Sequence, residues 1–270
     1  MLHNTTLKLE MDFKNILVEK KNSYVIISLN RPDVLNSFNY EMADDFLSAF
    51  KNANEDKSVR AILITGNGRA FCAGQDLEEA TRKNGPSIDE IIDHTYNPIC
   101  VQISNSSKPV TCYVNGVAAG AGANIALACD ITLAAKTAKF IQSFINIGLV
   151  PDTGGSFTLP RAIGKQKAAA LMMSGDKVSA EEAERMGMIY KCIEDADGLQ
   201  EAINFTERIS MMPSKSIGYI KQMLKASERN NLQQQLDLEK ELQKKAAASY
   251  DHKEGVNAFF EKRKPVYKGE

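Results

Sequence analysis

The chain of 270 residues holds only three histidines, His3, His94 and His252. Histidine titrates near neutrality and is the commonest catalytic acid/base. Its scarcity turns attention to carboxylates and to the backbone. Asp152 stands in Ile147-Gly148-Leu149-Val150-Pro151-Asp152-Thr153-Gly154-Gly155, an apolar turn bounded by glycines ahead of a helix. Two readings are open for it. It could be an N-cap for a helix starting near Thr153. The other reading is functional: one acid in an apolar setting beside two turns rich in N–H groups. Two other segments offer backbone donors. Arg69-Ala70-Phe71-Cys72-Ala73-Gly74-Gln75-Asp76-Leu77 follows a buried strand, and small residues around Gly74 let its backbone lie close to a ligand. In Asn115-Gly116-Val117-Ala118-Ala119-Gly120-Ala121-Gly122-Ala123-Asn124 a strand feeds a helix. A helix N-terminus leaves N–H groups unpaired with a partial positive charge, which can hold a carbonyl as it becomes an oxyanion. Either glycine segment alone is a weak signal, since such strand-to-helix turns mostly serve close packing. Neither is a P-loop, since no Gly-Lys-Ser/Thr follows, and neither has the dinucleotide-binding spacing.

Those segments need elements to position them. Ile16–Lys20 and Tyr24–Leu29 read as a hairpin around Lys21-Asn22-Ser23. Arg31-Pro32-Asp33 interrupts it. Tyr40–Asn54 has helical spacing of its apolar residues. Ala61–Thr65 is a buried strand ending in Gly66-Asn67-Gly68, and Ser87–Ser104 is helical by pattern. Val110–Val114, a helix over Gly120–Cys129, Ile131–Ala135 and a possible strand at Lys139–Gln142 repeat that grammar. Strand, turn, helix, strand is the pattern of an α/β domain with crossovers. From Thr153 the chain turns helical. Ser179-Ala180-Glu181-Glu182 resembles a capping box, and Ile189–Ile193 is a short strand. Leu199–Ser210, Ser214–Glu228, Leu232–Ser249 and Lys253–Lys262 read as helices. Leu232, Leu236, Leu238 and Leu242 form a stripe expected to be the packed face of an amphipathic helix, in a tail that packs on the core or on a neighbour. The expected division is a core over residues 13–196 and a helical region over residues 197–270, with Met1–Asp12 a loosely held extension.

Composition narrows the class. Charged side chains nearly cancel, 33 Lys+Arg against 34 Asp+Glu. That argues against nucleic acid as a partner. Five cysteines, an odd number without a C-x-x-C pair, indicate neither a disulfide framework nor a zinc site. No stretch reaches the ~18 apolar residues of a membrane span, and no secretory signal stands at the N-terminus. A soluble cytoplasmic protein without metal is expected.

Taken together, FCAGQDL, NGVAAGAGA and GLVPDTGG, at these separations, resemble the crotonase superfamily, the enoyl-CoA hydratase/isomerase family. The likeness runs from the hairpin and RPDVLNSF through the C-terminal EGVNAFFEKRKP. Within the superfamily, FCAGQDL, the YNP of Tyr96-Asn97-Pro98, AAGAGA and the PD of GLVPD are similar to isomerase members of phenylacetate degradation. The resemblance implies an α/β fold: a spiral core of β-β-α turns, two roughly perpendicular sheets, and a helical C-terminal region that builds trimers or hexamers. It implies an acyl-CoA thioester substrate, with coenzyme A part of the substrate and no further cofactor. The thioester oxygen would be held by the N–H groups of Gln75 and Ala121, with Ala73 and Gly120 beside them in the substrate-binding set. Adenine would meet backbone groups of Asp33, Val34 and Leu35 and of Asp76 and Leu77. Arg31 and the tail residues Lys262, Arg263 and Lys264 would meet the phosphates, the tail acting on a neighbouring subunit's CoA. Tyr96, Asn97 and Phe144 would line the acyl pocket, and Asn36 would brace its own loop.

The superfamily's hydratases use two glutamates. The matching positions are Asn124 and Phe144, neither of which can act as a base. The acid is instead Asp152, where isomerase-like members carry theirs. A single carboxylate suits a 1,3-proton shift in a 3-enoyl-CoA, or assistance to opening of an aromatic-ring epoxide. Rival readings are a hydratase or other CoA lyase, a nucleophilic Asp acting on a halogenated aryl-CoA, disfavoured by the absence of tryptophan, and a non-catalytic binding protein of the same fold.

Overall fold

The computed structural model describes residues 13–270. The expected N-terminal extension, Met1–Asp12, lies outside the described residues. Strands β1 (Ile16–Lys20) and β2 (Tyr24–Leu29) form the hairpin, closed by Lys21 N–H donating to the Tyr24 carbonyl at 2.9 Å. A 3₁₀ turn at Pro32–Val34 breaks the chain away. Helix α1 (Tyr40–Glu55) starts at Asn39, whose side chain accepts from Met42 N–H, and buries Met42, Ala43, Phe46 and Phe50. Then come β3 (Ala61–Gly66), β4 (Ala70–Cys72) and the short helices α2 (Leu77–Thr81) and α3 (Ile88–Ile91). A π turn over Ile92–Tyr96 leads into α4 (Asn97–Asn105).

The next turns of the chain repeat the plan. Strands β5 (Val110–Val114) and β6 (Val117–Ala119) precede α5 (Ala121–Ala128). Strands β7 (Ile131–Ala135) and β8 (Lys139–Ile141) precede a 3₁₀ turn at Ser143–Ile147, then α6 (Gly155–Ile163) and α7 (Lys165–Ser174). Strand β9 (Lys177–Ser179), α8 (Ala180–Arg185) and β10 (Lys191–Ile193) finish the sheets. Four helices follow: α9 (Gly198–Ser210), α10 (Ser214–Ser227), α11 (Leu232–Ala247) and α12 (Tyr250–Phe260).

After the β1–β2 hairpin, which lies wholly in the larger sheet, each successive strand pair gives one strand to each of two sheets. The larger runs β1-β2-β3-β5-β7-β10 and the smaller β4-β6-β8-β9. Pairing is parallel except for β1 with β2 and β8 with β9. This is the repeated β-β-α core that the motifs implied. Strands β3 and β5 are buried along nearly their whole length, as expected of parallel strands covered on both faces. Helix α9 seats Ala202, Thr206 and Ser210 on the larger sheet, with the Thr206 and Thr111 hydroxyls 2.7 Å apart.

Several expectations need correction. The helix expected over Ser87–Ser104 is present from Ile88 to Asn105, but a π turn inside it shifts its register. Pro98 has no N–H for the His94 carbonyl, so the ladder slips and Asn97 N–H donates to Ile92 instead. Strands β4, β6 and β9 are three residues each, too short to show a period. The strand expected from Ile189 begins at Lys191, because Met188 and Ile189 N–H both turn back to the Ala183 carbonyl. The last helix begins earlier than Lys253, capped by the Ser249 hydroxyl. The leucine stripe of α11 does not pack on the core, one of the two expected places for it. Only Leu242 is buried, while Leu232 and Leu236 are 75% and 48% exposed. Among the described residues no helix is long and apolar enough to cross a membrane.

Candidate active site

The turn after β4 is laced to the loop after β2. Phe38 N–H donates to the Gly74 carbonyl at 2.8 Å, Asp76 N–H to the Phe38 carbonyl at 2.8 Å, and Ala73 N–H to the Leu35 carbonyl at 3.0 Å. This alternation turns Gln75 N–H the other way, with no acceptor among the described residues. Asn36 locks the loops together. It accepts from Arg31 N–H at 2.8 Å and donates to the Asn67 and Ala70 carbonyls at 2.9 Å each.

The second donor comes from α5. Ala121 is its first residue, so its N–H has no carbonyl one turn back. Gly120 before it has φ +53° and ψ −124°, a backbone that side chains strain to adopt. Gly122 lets α5 close on β4: a Cβ there would stand 2.4 Å from the Cys72 carbonyl oxygen. The two turns thus lie side by side, and a Cβ built on Gly74 would be 3.7 Å from Ala121 N. Both free N–H residues line one cavity of about 620 Å³.

Asp152 lines the same cavity and is the one carboxylate in its wall among the described residues. The N-cap reading does not hold. Helix α6 starts at Gly155 with Gly154 as its cap, and the Asp152 carboxylate instead accepts from the Thr153 hydroxyl at 2.5 Å. Burial pushes the Asp152 pKa above the usual carboxylate range, opposed by the Thr153 hydroxyl and the backbone. The turn itself is strained. Thr153 has φ +54°, unusual for a β-branched residue and costing about 1–3 kcal/mol. Several bonds hold it there. The Cys100 thiol donates to the Thr153 carbonyl at 3.1 Å, and the Asp152 carbonyl accepts from Asn124 Nδ2 and Gly155 N–H, each at 2.9 Å.

The structure gathers most of the expected site residues. Ala73, Gln75, Leu77, Tyr96, Gly120, Ala121, Phe144 and Asp152 all face the cavity. The Tyr96 hydroxyl donates to Gln75 Oε1 at 2.8 Å, and burial pushes the Tyr96 pKa well up, so it stays neutral. Other expected residues do not face it. Asn97 is exposed and donates to Asp93 at 3.1 Å, because the π turn rotates it outward. Asn124 is fully buried behind Asp152. Arg31 is not a free cation: it pairs with Asp76 at 2.9 Å, and Asp76 also caps α2. Asp33 and Val34 lie on the exposed 3₁₀ turn, beside Leu35 but outside the cavity wall. Lys262 is exposed past the end of α12, and neighbouring Arg263 is tied to Glu254. His94 stacks on Tyr40 and pairs with Asp44 at the surface. The Cys72 and Cys100 thiols are each pushed up to about 12 by burial, so neither is a nucleophile. Sequence reasoning missed the apolar wall of Ile88, Ile91, Ile92, Ile147 and Leu149. Apolar spacing alone could not tell a wall from core.

The sequence matches the enoyl-CoA hydratase/isomerase family over residues 19–270. The chain belongs to that family. This member is 41% identical to the 1,2-epoxyphenylacetyl-CoA isomerase of Escherichia coli, over 94% of this chain and 98% of the relative. It is 38% identical to a trans-2-decenoyl-[acyl-carrier-protein] isomerase of Streptococcus mutans, over 96% and 100%. An enoyl-CoA hydratase structure from Bacillus anthracis superposes with a TM-score of 0.88 at 30% identity, covering 95% of this chain and 100% of that one. The fold is therefore the crotonase fold, and the protein is an acyl-CoA enzyme. In such an enzyme the paired N–H groups can hold a thioester oxygen as it gains charge. One donor of this kind is worth ~3 kcal/mol in the transition state.

Proposed function

We propose that the enzyme moves a double bond within an acyl-CoA, converting a 3-enoyl-CoA to a 2-enoyl-CoA. Asp152 takes the proton from C2 and returns it at C4. The dienolate between the steps puts its charge on the thioester oxygen, held by the N–H groups of Gln75 and Ala121. The observation that carries this reading is an apolar cavity with, among the described residues, one carboxylate and two unpaired N–H groups. At the two positions of the hydratase glutamates stand Asn124, buried in a hydrogen bond to the backbone, and Phe144, an apolar wall. The substrate enters with coenzyme A attached, and the step calls for no cofactor. A ring-derived phenylacetyl-CoA epoxide is the related substrate that the Escherichia coli relative suggests. The same reading assigns Lys262 to a neighbouring subunit's CoA and residues 197–270 to assembly of a homotrimer or hexamer.

The test is a panel of 3-enoyl-CoAs, crotonyl-CoA and ring-derived thioesters, with products identified by mass and ultraviolet absorbance. Isomerised product without added water is expected. Hydration of crotonyl-CoA as the main activity would replace the reading with a hydratase.

A further inference from the structure

Asp152 is held by a buried amide pair that lies outside the cavity wall. Asn124 on α5 donates Nδ2 to the Asp152 carbonyl at 2.9 Å. Gln142, between β8 and the next 3₁₀ turn, donates Nε2 to Asn124 Oδ1 at 2.8 Å. Both side chains are buried, at 0% and 2% exposure. Their orientation is forced. A carbonyl can only accept, so Asn124 must turn Nδ2 toward Asp152 and Oδ1 toward Gln142, which must then donate. Gly155 completes the fit: a Cβ there would fall 2.2 Å from Asn124 Nδ2.

One atom in the pair points beyond stability. Gln142 Oε1 is buried with no hydrogen-bond partner among the described residues. An orphaned buried acceptor is destabilising, and an apolar side chain of the same length would avoid it. What the glutamine supplies that an apolar residue cannot is the donor to Asn124.

We propose that Asn124 and Gln142 are positioning residues, a relay that fixes the peptide carbonyl of Asp152 and so aims its carboxylate into the cavity. The inference rests on the reading of Asp152 as the base. It gives the buried asparagine a task of its own: the side chain orients another residue's carboxylate and never touches substrate.

Two variants separate positioning from packing. Gln142→Met keeps the length and removes the donor. Its melting temperature should stay within a few degrees of the wild type, while kcat falls about tenfold or more and KM changes less than about threefold. Gln142→Glu can donate only when its carboxyl is neutral. Its kcat should therefore fall as pH rises through that titration, opposite to the wild type, whose kcat rises as Asp152 ionises. This variant also serves should Gln142→Met fail to fold. Wild-type kcat and pH profile in the folded variants would overturn the relay. The Asp152 carboxyl, followed by ¹³C NMR and assigned with Asp152→Asn, gives a readout independent of turnover. Its titration midpoint should move in both variants, and an unmoved midpoint overturns the relay. Full turnover by Asp152→Asn would instead overturn the base, leaving the NMR titration alone to decide the relay.

Discussion

At the scale of the residue, Asp152 is in conflict with the fold that holds it. Burial raises its pKa above the unfolded value. The folded state therefore favours the neutral carboxyl. That contribution to stability is present below the unfolded pKa of about 4 and is lost as pH rises through the raised folded pKa. Replacing Asp152 with Asn keeps an acceptor for the Thr153 hydroxyl and removes the charge. Thermal unfolding should give Asp152→Asn a melting temperature at pH 7 at least equal to the wild type, and the difference should close toward pH 4. In the wild type, kcat should rise with pH to a plateau, with a midpoint above that of an ordinary aspartate. A pH–rate profile of the wild type checks this, with Asp152→Asn as the inactive control. The motifs made Asp152 visible because its neighbours are apolar and small. They could not separate it from an N-cap, since that depends on where α6 starts.

At the scale of the element, the site is a junction between turns. The loop after β4 and the start of α5 each carry one donor, and glycines set their spacing. Gly122→Ala would drive a Cβ to 2.4 Å from the Cys72 carbonyl. The helix must shift, at an overpacking cost of about 1–3 kcal/mol. Melting temperature and kcat should fall together, because the shift also parts Ala121 N–H from Gln75 N–H. Much of this junction was legible, since GVAAGAGA puts small residues where backbone must approach backbone. Its counterpart was not. Tyr96 enters the cavity and Asn97 leaves it because of one π turn, forced by Pro98 and the carbonyls before it. A uniform helical period across Ser87–Ser104 hides that slip. The cavity wall was hidden for a related reason: Ile88 and Ile147 have the composition of core, and only tertiary structure shows that they stay exposed among the described residues.

At the scale of the whole molecule, apolar surface is left bare on the C-terminal helices. Leu224, Leu232, Phe259 and Phe260 are 66%, 75%, 79% and 76% exposed. The leucine stripe was expected to pack on the core or on a neighbour, and its exposure fits the second. Sedimentation velocity should find three or six chains together. Phe259→Asp with Phe260→Asp should shift that mass toward the monomer, while an unchanged mass would remove these helices from the interface. Alternating strands and turns made an α/β core legible, and the motifs implied its spiral form, whereas packing between copies is a property of surfaces that one chain's periodicity does not encode. The central claim concerns one carboxylate. The direct measurement gives wild type and Asp152→Asn the same 3-enoyl-CoA, follows 2-enoyl-CoA by absorbance and mass, and measures acyl-CoA binding in parallel. The account predicts isomerised product from the wild type, none from the variant, and binding by the variant within a few-fold of the wild type. Equal turnover by the variant would contradict it.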